Sequence, residues 1–129
     1  IVEREAVVPA ERPTIASVYL NRLRHGMKLQ ADPTVQYALV SPDDVANPRW
    51  GYWKPGLTFA DLKVSSPYNT YVATGLPPGP ICNPGLASLE AVAHPATTDF
   101  LYFVARPDHH HAFARTLEEQ QQNVARYQP

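Results

Sequence analysis

The sequence predicts an α+β fold, mostly helical, with one small β-hairpin. Three observations carry that expectation. Ile15, Val18, Tyr19, Arg22 and Leu23 recur at three- and four-residue spacing, the period of a helix face. Phe100 to Ala105 is a short aromatic and β-branched run, and it is separated from His111 to Ala114 by Pro107-Asp108, as in a hairpin. The 14 prolines among 129 residues are roughly twice the usual share, yet they are spread along the chain, so they describe short helices joined by loops of fixed shape rather than a linker.

Each element follows from local signals. Ile1 to Val8 reads as the end of a helix that Pro9 stops. Glu11 to His25 is a full helix with Arg22, Arg24 and His25 in its last turns, where cations suit the dipole, and Gly26 is its expected stop. Asp32-Pro33 opens a short helix to Leu39, with Asp32 as a carboxylate N-cap, and Ser41-Pro42 closes it. Asp43 to Lys63 is irregular and carries Trp50, Tyr52 and Trp53, with one helical turn expected over Thr58 to Leu62. Asn83-Pro84 repeats the cap signal ahead of a helix from Leu86 to Ala93 that Pro95 ends. Thr116 and Glu119 form a capping box for a last helix reaching Tyr127.

Composition narrows the function classes. A length of 129 residues fits one domain, 1–129, large enough to bury a core without disulfides. Lys+Arg 11 against Asp+Glu 12 gives a net charge of -1, which argues against nucleic acid as a partner. The lone Cys82 excludes a disulfide framework and a multi-cysteine zinc site. The opening Ile1-Val2, without Met, reads as a domain truncated at its N-terminus.

Three groupings carry candidate chemistry. Glu3 and Glu5, about 200° apart on a helix, cannot face each other. Each has apolar neighbours one turn away, Ala6 and Val7 for Glu3, where desolvation would raise a carboxyl pKa toward general-acid use, but spacing alone favours a solvated helix with ordinary glutamates. The segments Leu29 to Thr34 and Ser66 to Tyr71 mix amide, hydroxyl and aromatic groups, which suit sugar hydroxyls, N-acetyl groups and sugar faces; turn chemistry explains the same residues, with Asn69 as a turn former. His109 to His111 invite a metal, but consecutive residues of an extended chain face opposite ways and no further ligands complete a set, so a polar hairpin tip is favoured and no metal or other cofactor is expected.

Taken together, several motifs resemble one family. These are Ile1-Val2-Glu3-Arg4-Glu5, Ala16 to Leu23, Met27-Lys28-Leu29-Gln30 with Asp32-Pro33-Thr34-Val35, Tyr68-Asn69-Thr70-Tyr71, Gly75 to Ile81, Asn83-Pro84-Gly85 and Tyr102-Phe103-Val104. In this order they resemble the endolytic murein transglycosylases of the YceG-like group. The resemblance implies a lysozyme-like catalytic domain that cuts peptidoglycan glycan strands internally, between N-acetylmuramic acid and N-acetylglucosamine, and leaves 1,6-anhydro ends. It places the catalytic acid at Glu3 and substrate contacts at Gln30, Asp32, Thr34, Tyr68, Asn69 and Tyr71, with Tyr68 or Tyr71 as a hydrogen-bond partner of Glu3. Asn21 and Arg22 match as structural residues. It further implies peptidoglycan synthases as partners and a membrane-anchored protein on the extracytoplasmic face of a bacterial membrane. A hydrolytic muramidase and a peptidoglycan-binding module without turnover are the competing readings.

Overall fold

The computed structural model describes residues 1–40 and 52–128, so the expected Ser41-Pro42 stop and Trp50 lie outside the described residues. The elements in order are α1 (Val2–Glu5), a 3-10 turn (Pro9–Glu11), α2 (Arg12–Arg24), α3 (Asp32–Ala38), a second 3-10 turn (Asp61–Lys63), α4 (Leu86–Ala93), β1 (Tyr102–Ala105), β2 (His111–Ala114) and α5 (Leu117–Tyr127). Helices with one two-stranded antiparallel sheet make the chain α+β. Two compact units are present: residue 1 with 26–83, and 2–25 with 84–129.

The second unit is organised by α2. Ile15 and Val18 are fully buried, Tyr19 nearly so, and each such side chain removed from water contributes about 1.5–3 kcal/mol. Burial extends past the predicted stripe to Ser17 and Asn21, because a second face of α2 binds a passing strand of backbone. Asn21 Nδ2 donates to the carbonyls of Thr98 and Phe100 (2.9 and 3.0 Å), and Ser17 pairs with Thr98 at 2.6 Å. Arg22, also buried, donates from Nε to the Leu101 carbonyl at 2.6 Å. The helix stops at Gly26, whose φ of 65° lies in the left-handed region that favours glycine.

α1 is shorter than expected. Helical geometry ends at Glu5, and the chain re-enters helix through the Pro9–Glu11 turn, where Pro sits in the first-turn position it tolerates. The hairpin forms with its first strand beginning at Tyr102 rather than Phe100: Tyr102 pairs with Ala114 and Ala105 with His111, and α5 packs on both strands. Both halves of the capping box form, with Glu119 N–H donating to Thr116 Oγ1 at 3.1 Å.

The first unit has its core at Leu29, Ala31, Val35 and Ile81, packed with the buried polar residues Thr34, Asn69 and Thr70. The turn expected over Thr58 to Leu62 is a 3-10 turn at Asp61–Lys63, with Asp61 accepting from the Thr58 N–H and hydroxyl (2.7 and 2.8 Å) and pairing with Lys54 at 2.7 Å. Those bonds hold the Asp61 carboxyl at about 2, the Lys54 ammonium being the largest cause.

Candidate active site

Glu3 stands on the single turn of α1, which the buried Val2 anchors. Its side chain meets α4, 82 to 85 positions away in the sequence. Oε2 accepts hydrogen bonds from the Ser88 hydroxyl and from the Gly85 backbone N–H, the latter at 3.3 Å. Ser88 is buried, and its Oγ accepts in turn from Arg12 Nε at 3.2 Å. Oε1 takes no hydrogen bond among the described residues. A Cβ on residue 85 would lie 3.7 and 3.8 Å from the two carboxylate oxygens, so the glycine there leaves Glu3 uncovered on that side.

This geometry corrects two expectations. Apolar neighbours offered a raised Glu3 pKa as the alternative to an ordinary solvated glutamate; the carboxyl follows neither and lies below its ordinary value of 4.5. The Ser88 hydroxyl is the largest cause and the Gly85 amide the next. Together they outweigh burial, which acts the other way, and the Arg12 charge adds to them. The second correction concerns Asn83-Pro84. Helix α4 begins at Leu86 with Gly85 as N-cap and no side-chain cap of its own. The Glu3 carboxylate meets the first turn instead, where exposed N–H groups and the dipole favour an anion. Beside it, between the start of α2 and α4, lies an open depression of about 410 Å³ with Arg12, Glu90 and His94 as its polar lining.

The other candidate residues belong to the other compact unit, where two loop segments are stitched together. Gln30 holds a left-handed backbone (φ 50°) and donates its N–H to the Thr70 carbonyl at 3.1 Å. Ala31 N–H donates to Thr70 Oγ1 at 3.0 Å, and the Thr34 and Thr70 hydroxyls pair at 2.8 Å. Asn69 has no exposed surface: Nδ2 donates to the carbonyls of Leu62 and Val64 (3.0 and 2.8 Å), and Oδ1 accepts the Tyr71 N–H at 2.9 Å. Thr34 is equally buried and donates to the Ala31 carbonyl at 2.7 Å. In this arrangement Thr34 and Asn69 are buried and bonded within the loop, and for Asn69 the turn reading describes the geometry. Gln30 and Asp32 are exposed, and Tyr68 and Tyr71 are half-exposed.

Asp32 is not the cap it was expected to be. Ala31 is the N-cap of α3, without a side-chain bond. Asp32 Oδ1 instead accepts from the Tyr71 hydroxyl at 2.6 Å. Tyr68 packs its ring on Tyr37 at 4.7 Å.

The histidine run is divided. His109 occupies the hairpin tip with φ 66°. His110 and His111 both turn to Glu11: their Nδ1 atoms lie 3.0 and 2.7 Å from its two oxygens, and the His111 N–H donates to both. These bonds, led by His111, overcome burial and hold the Glu11 carboxyl below its ordinary 4.5, although burial is the largest single contribution and acts upward. The polar-tip reading thus describes His109 and not its neighbours. Among the described residues no group of three His, Cys, Asp or Glu is arranged for a metal ion, and no helix is long and apolar enough to cross a membrane.

Sequence reasoning missed Arg12, Gly85 and Ser88. Ser88 sits inside a helix with no local mark of its contact, and only the fold brings it to Glu3.

The sequence matches the profile of the YceG-like family over residues 1–126. A protein of Bacillus subtilis (strain 168) named endolytic murein transglycosylase is 44% identical over 127 residues, covering 98% of this chain and 32% of the relative. One of the same name from Streptococcus pneumoniae (serotype 2, strain D39) is 32% identical over 135 residues, covering 98% of this chain and 22% of the relative. A crystal structure of a yceG-like protein from Listeria monocytogenes superposes with a TM-score of 0.82 at 45% identity, covering 95% of this chain and 36% of that one. The chain spans about a third or less of the length of the curated relatives it matches.

Proposed function

This chain belongs to the YceG-like family, and on that premise we propose that it is the catalytic part of an endolytic peptidoglycan lytic transglycosylase. The observation that carries the proposal is the Glu3 carboxylate, anchored through one oxygen at the start of α4 and, among the described residues, unbonded at the other. The shared name of the relatives agrees with it.

The chemistry needs a single carboxyl group that acts twice. Protonated Glu3 gives its proton to the glycosidic oxygen between N-acetylmuramic acid and N-acetylglucosamine, and the C1–O4 bond breaks. The Glu3 carboxylate then takes the proton of the muramic acid's own C6 hydroxyl, whose oxygen closes on C1. One strand end becomes 1,6-anhydro-N-acetylmuramic acid, the other a free 4-hydroxyl, and no water is consumed. This differs from glycosidases that use two carboxylates. The resting anion suits the second half of the cycle. The first half draws on desolvation by the bound glycan, which adds to the burial that already acts upward on Glu3.

Gln30, Asp32, Tyr68 and Tyr71 are the proposed glycan contacts, with Thr34 and Asn69 holding their loops in shape. The fold is proposed to be lysozyme-like around Glu3. The substrate places the enzyme on the extracytoplasmic face of the membrane, with anchoring and partnership with peptidoglycan synthases part of the same proposal. No cofactor enters the reaction.

Mass spectrometry of products released from purified glycan strands by the full-length protein tests this reading. Anhydro-muramic ends are expected. Reducible ends would replace it with a hydrolytic muramidase, and strand binding without any product by a folded protein would make the chain a binding module.

A further inference from the structure

The two oxygens of Glu3 are not equivalent. Oε2 is held by a backbone amide and a buried hydroxyl, and that hydroxyl has its direction decided for it. Arg12 Nε–H occupies a lone pair of Ser88 Oγ, and a guanidinium cannot accept, so the Ser88 proton is left to point at the carboxylate. Arg12 comes from the start of α2, Ser88 from α4, whose N-cap is Gly85, and Glu3 from α1, so three elements meet at the Ser88 hydroxyl. Oε1 takes no hydrogen bond among the described residues.

We infer that Glu3 works through Oε1 alone, with Ser88 and Arg12 as positioning residues that fix Oε2. The inference rests on the reading of Glu3 as the acid and base. An oxygen already accepting two hydrogen bonds is the poorer site for a proton, so the transferable proton sits on Oε1 in the acid half-reaction and returns there from the C6 hydroxyl. Ser88 does not touch substrate. It restrains carboxylate rotation and favours the anion, and Arg12 keeps the hydroxyl a donor. The charge facing Glu3 from α2 is Arg12; α4 faces it with the hydroxyl and the amide.

The test is steady-state kinetics of the full-length protein on glycan strands across pH, for the wild type, Ser88→Ala, Ser88→Thr, Arg12→Gln and Glu3→Gln. Ser88→Ala is expected to lower kcat roughly 10- to 100-fold with KM within about twofold, since the lost interaction serves the reacting group and not strand binding. The alkaline limb of kcat, which reports loss of the Glu3 proton that the first half-reaction needs, is expected to move to higher pH, because the anion loses a donor. Ser88→Thr keeps the hydroxyl and is expected to recover most of the loss. A folded Ser88→Ala protein with unchanged kcat and alkaline limb overturns the inference, as does a loss of kcat with an unmoved limb. Should Ser88→Ala not fold, Arg12→Gln carries the same readout: an alkaline limb moved to higher pH supports the inference and an unmoved one overturns it. Activity retained by Glu3→Gln overturns the reading of Glu3 itself, whereas an inactive Glu3→Gln beside an unaffected Ser88→Ala overturns the positioning role only.

Discussion

Glu3 and Glu11 lie eight positions apart in the same compact unit, and both carboxyls are held below their ordinary value. They are held differently. Glu11 spends both oxygens, on the rings of His110 and His111 and on the His111 amide, and thereby ties the hairpin to the start of α2. Glu3 spends one. A carboxylate whose oxygens are both taken is an architectural group, because any proton it accepted would cost existing bonds. One with an oxygen to spare can exchange a proton and stay in place. A lowered pKa therefore does not separate the two roles, and the pattern of hydrogen bonds does.

The sharpest way to break this comparison is to neutralise each carboxyl in turn. Glu3→Gln is expected to lower glycan-strand turnover by roughly a thousandfold, with thermal unfolding little changed; a near-native product yield in the mass spectrometric assay would end the assignment. The buried Asn69 shows the saturated pattern without charge, its amide being used on both sides. Asn69→Ala leaves two carbonyls and an amide without their partner and is expected to cost about 2–3 kcal/mol in chemical denaturation.

Glu11→Gln is expected to cost about 2 kcal/mol while turnover per folded molecule stays near that of the wild type, the reverse of Glu3→Gln. Its pH dependence sharpens the point. The folded carboxyl titrates below the ordinary 4.5, so the stabilisation is complete above that pH and is lost as pH falls through the lower folded value. Melting temperatures of the wild type and Glu11→Gln should thus converge on acidification below about pH 4.5. A gap that stayed constant there would mean that the histidines bind Glu11 without favouring its anion. The smallest expected effect is at Thr116, whose hydroxyl caps α5 together with Glu119. Thr116→Ala should cost about 1 kcal/mol by thermal melt and leave turnover untouched.

What could be read from the sequence was whatever is decided within a few residues. The body of α2, its stop at Gly26, the hairpin and the Thr116–Glu119 capping box all depend on neighbours in the chain. The two Asx-Pro starts show where that ends. Proline was correctly placed in the first turn of α3, yet Asp32 answers to Tyr71, 39 positions on. After Asn83-Pro84 the helix begins at Leu86 as expected, but its N-cap is Gly85 and the anion at its start arrives from residue 3. The site shows the same division. Glu3 could be named from its motif, but the direction of its pKa shift could not, since local spacing offered Ala6 and Val7 as neighbours and the fold supplies Ser88 and Arg12. Thr34 and Asn69 carry groups suited to sugars, and only their burial shows those groups to be consumed internally.

The unit that carries Glu3 is assembled from residues 2–25 and 84–129, with the intervening 26–83 belonging elsewhere. Synthesis is vectorial, so Glu3 leaves the ribosome long before Gly85 and Ser88 exist. During that interval the carboxylate has nothing to fix it, and closing so long a chain loop is entropically costly and slow compared with local helix formation. A nascent or interrupted chain is accordingly without the anchored oxygen, whatever else in it has folded. The carboxylate thus acquires its anchored geometry only after the second of the unit's two segments has been made.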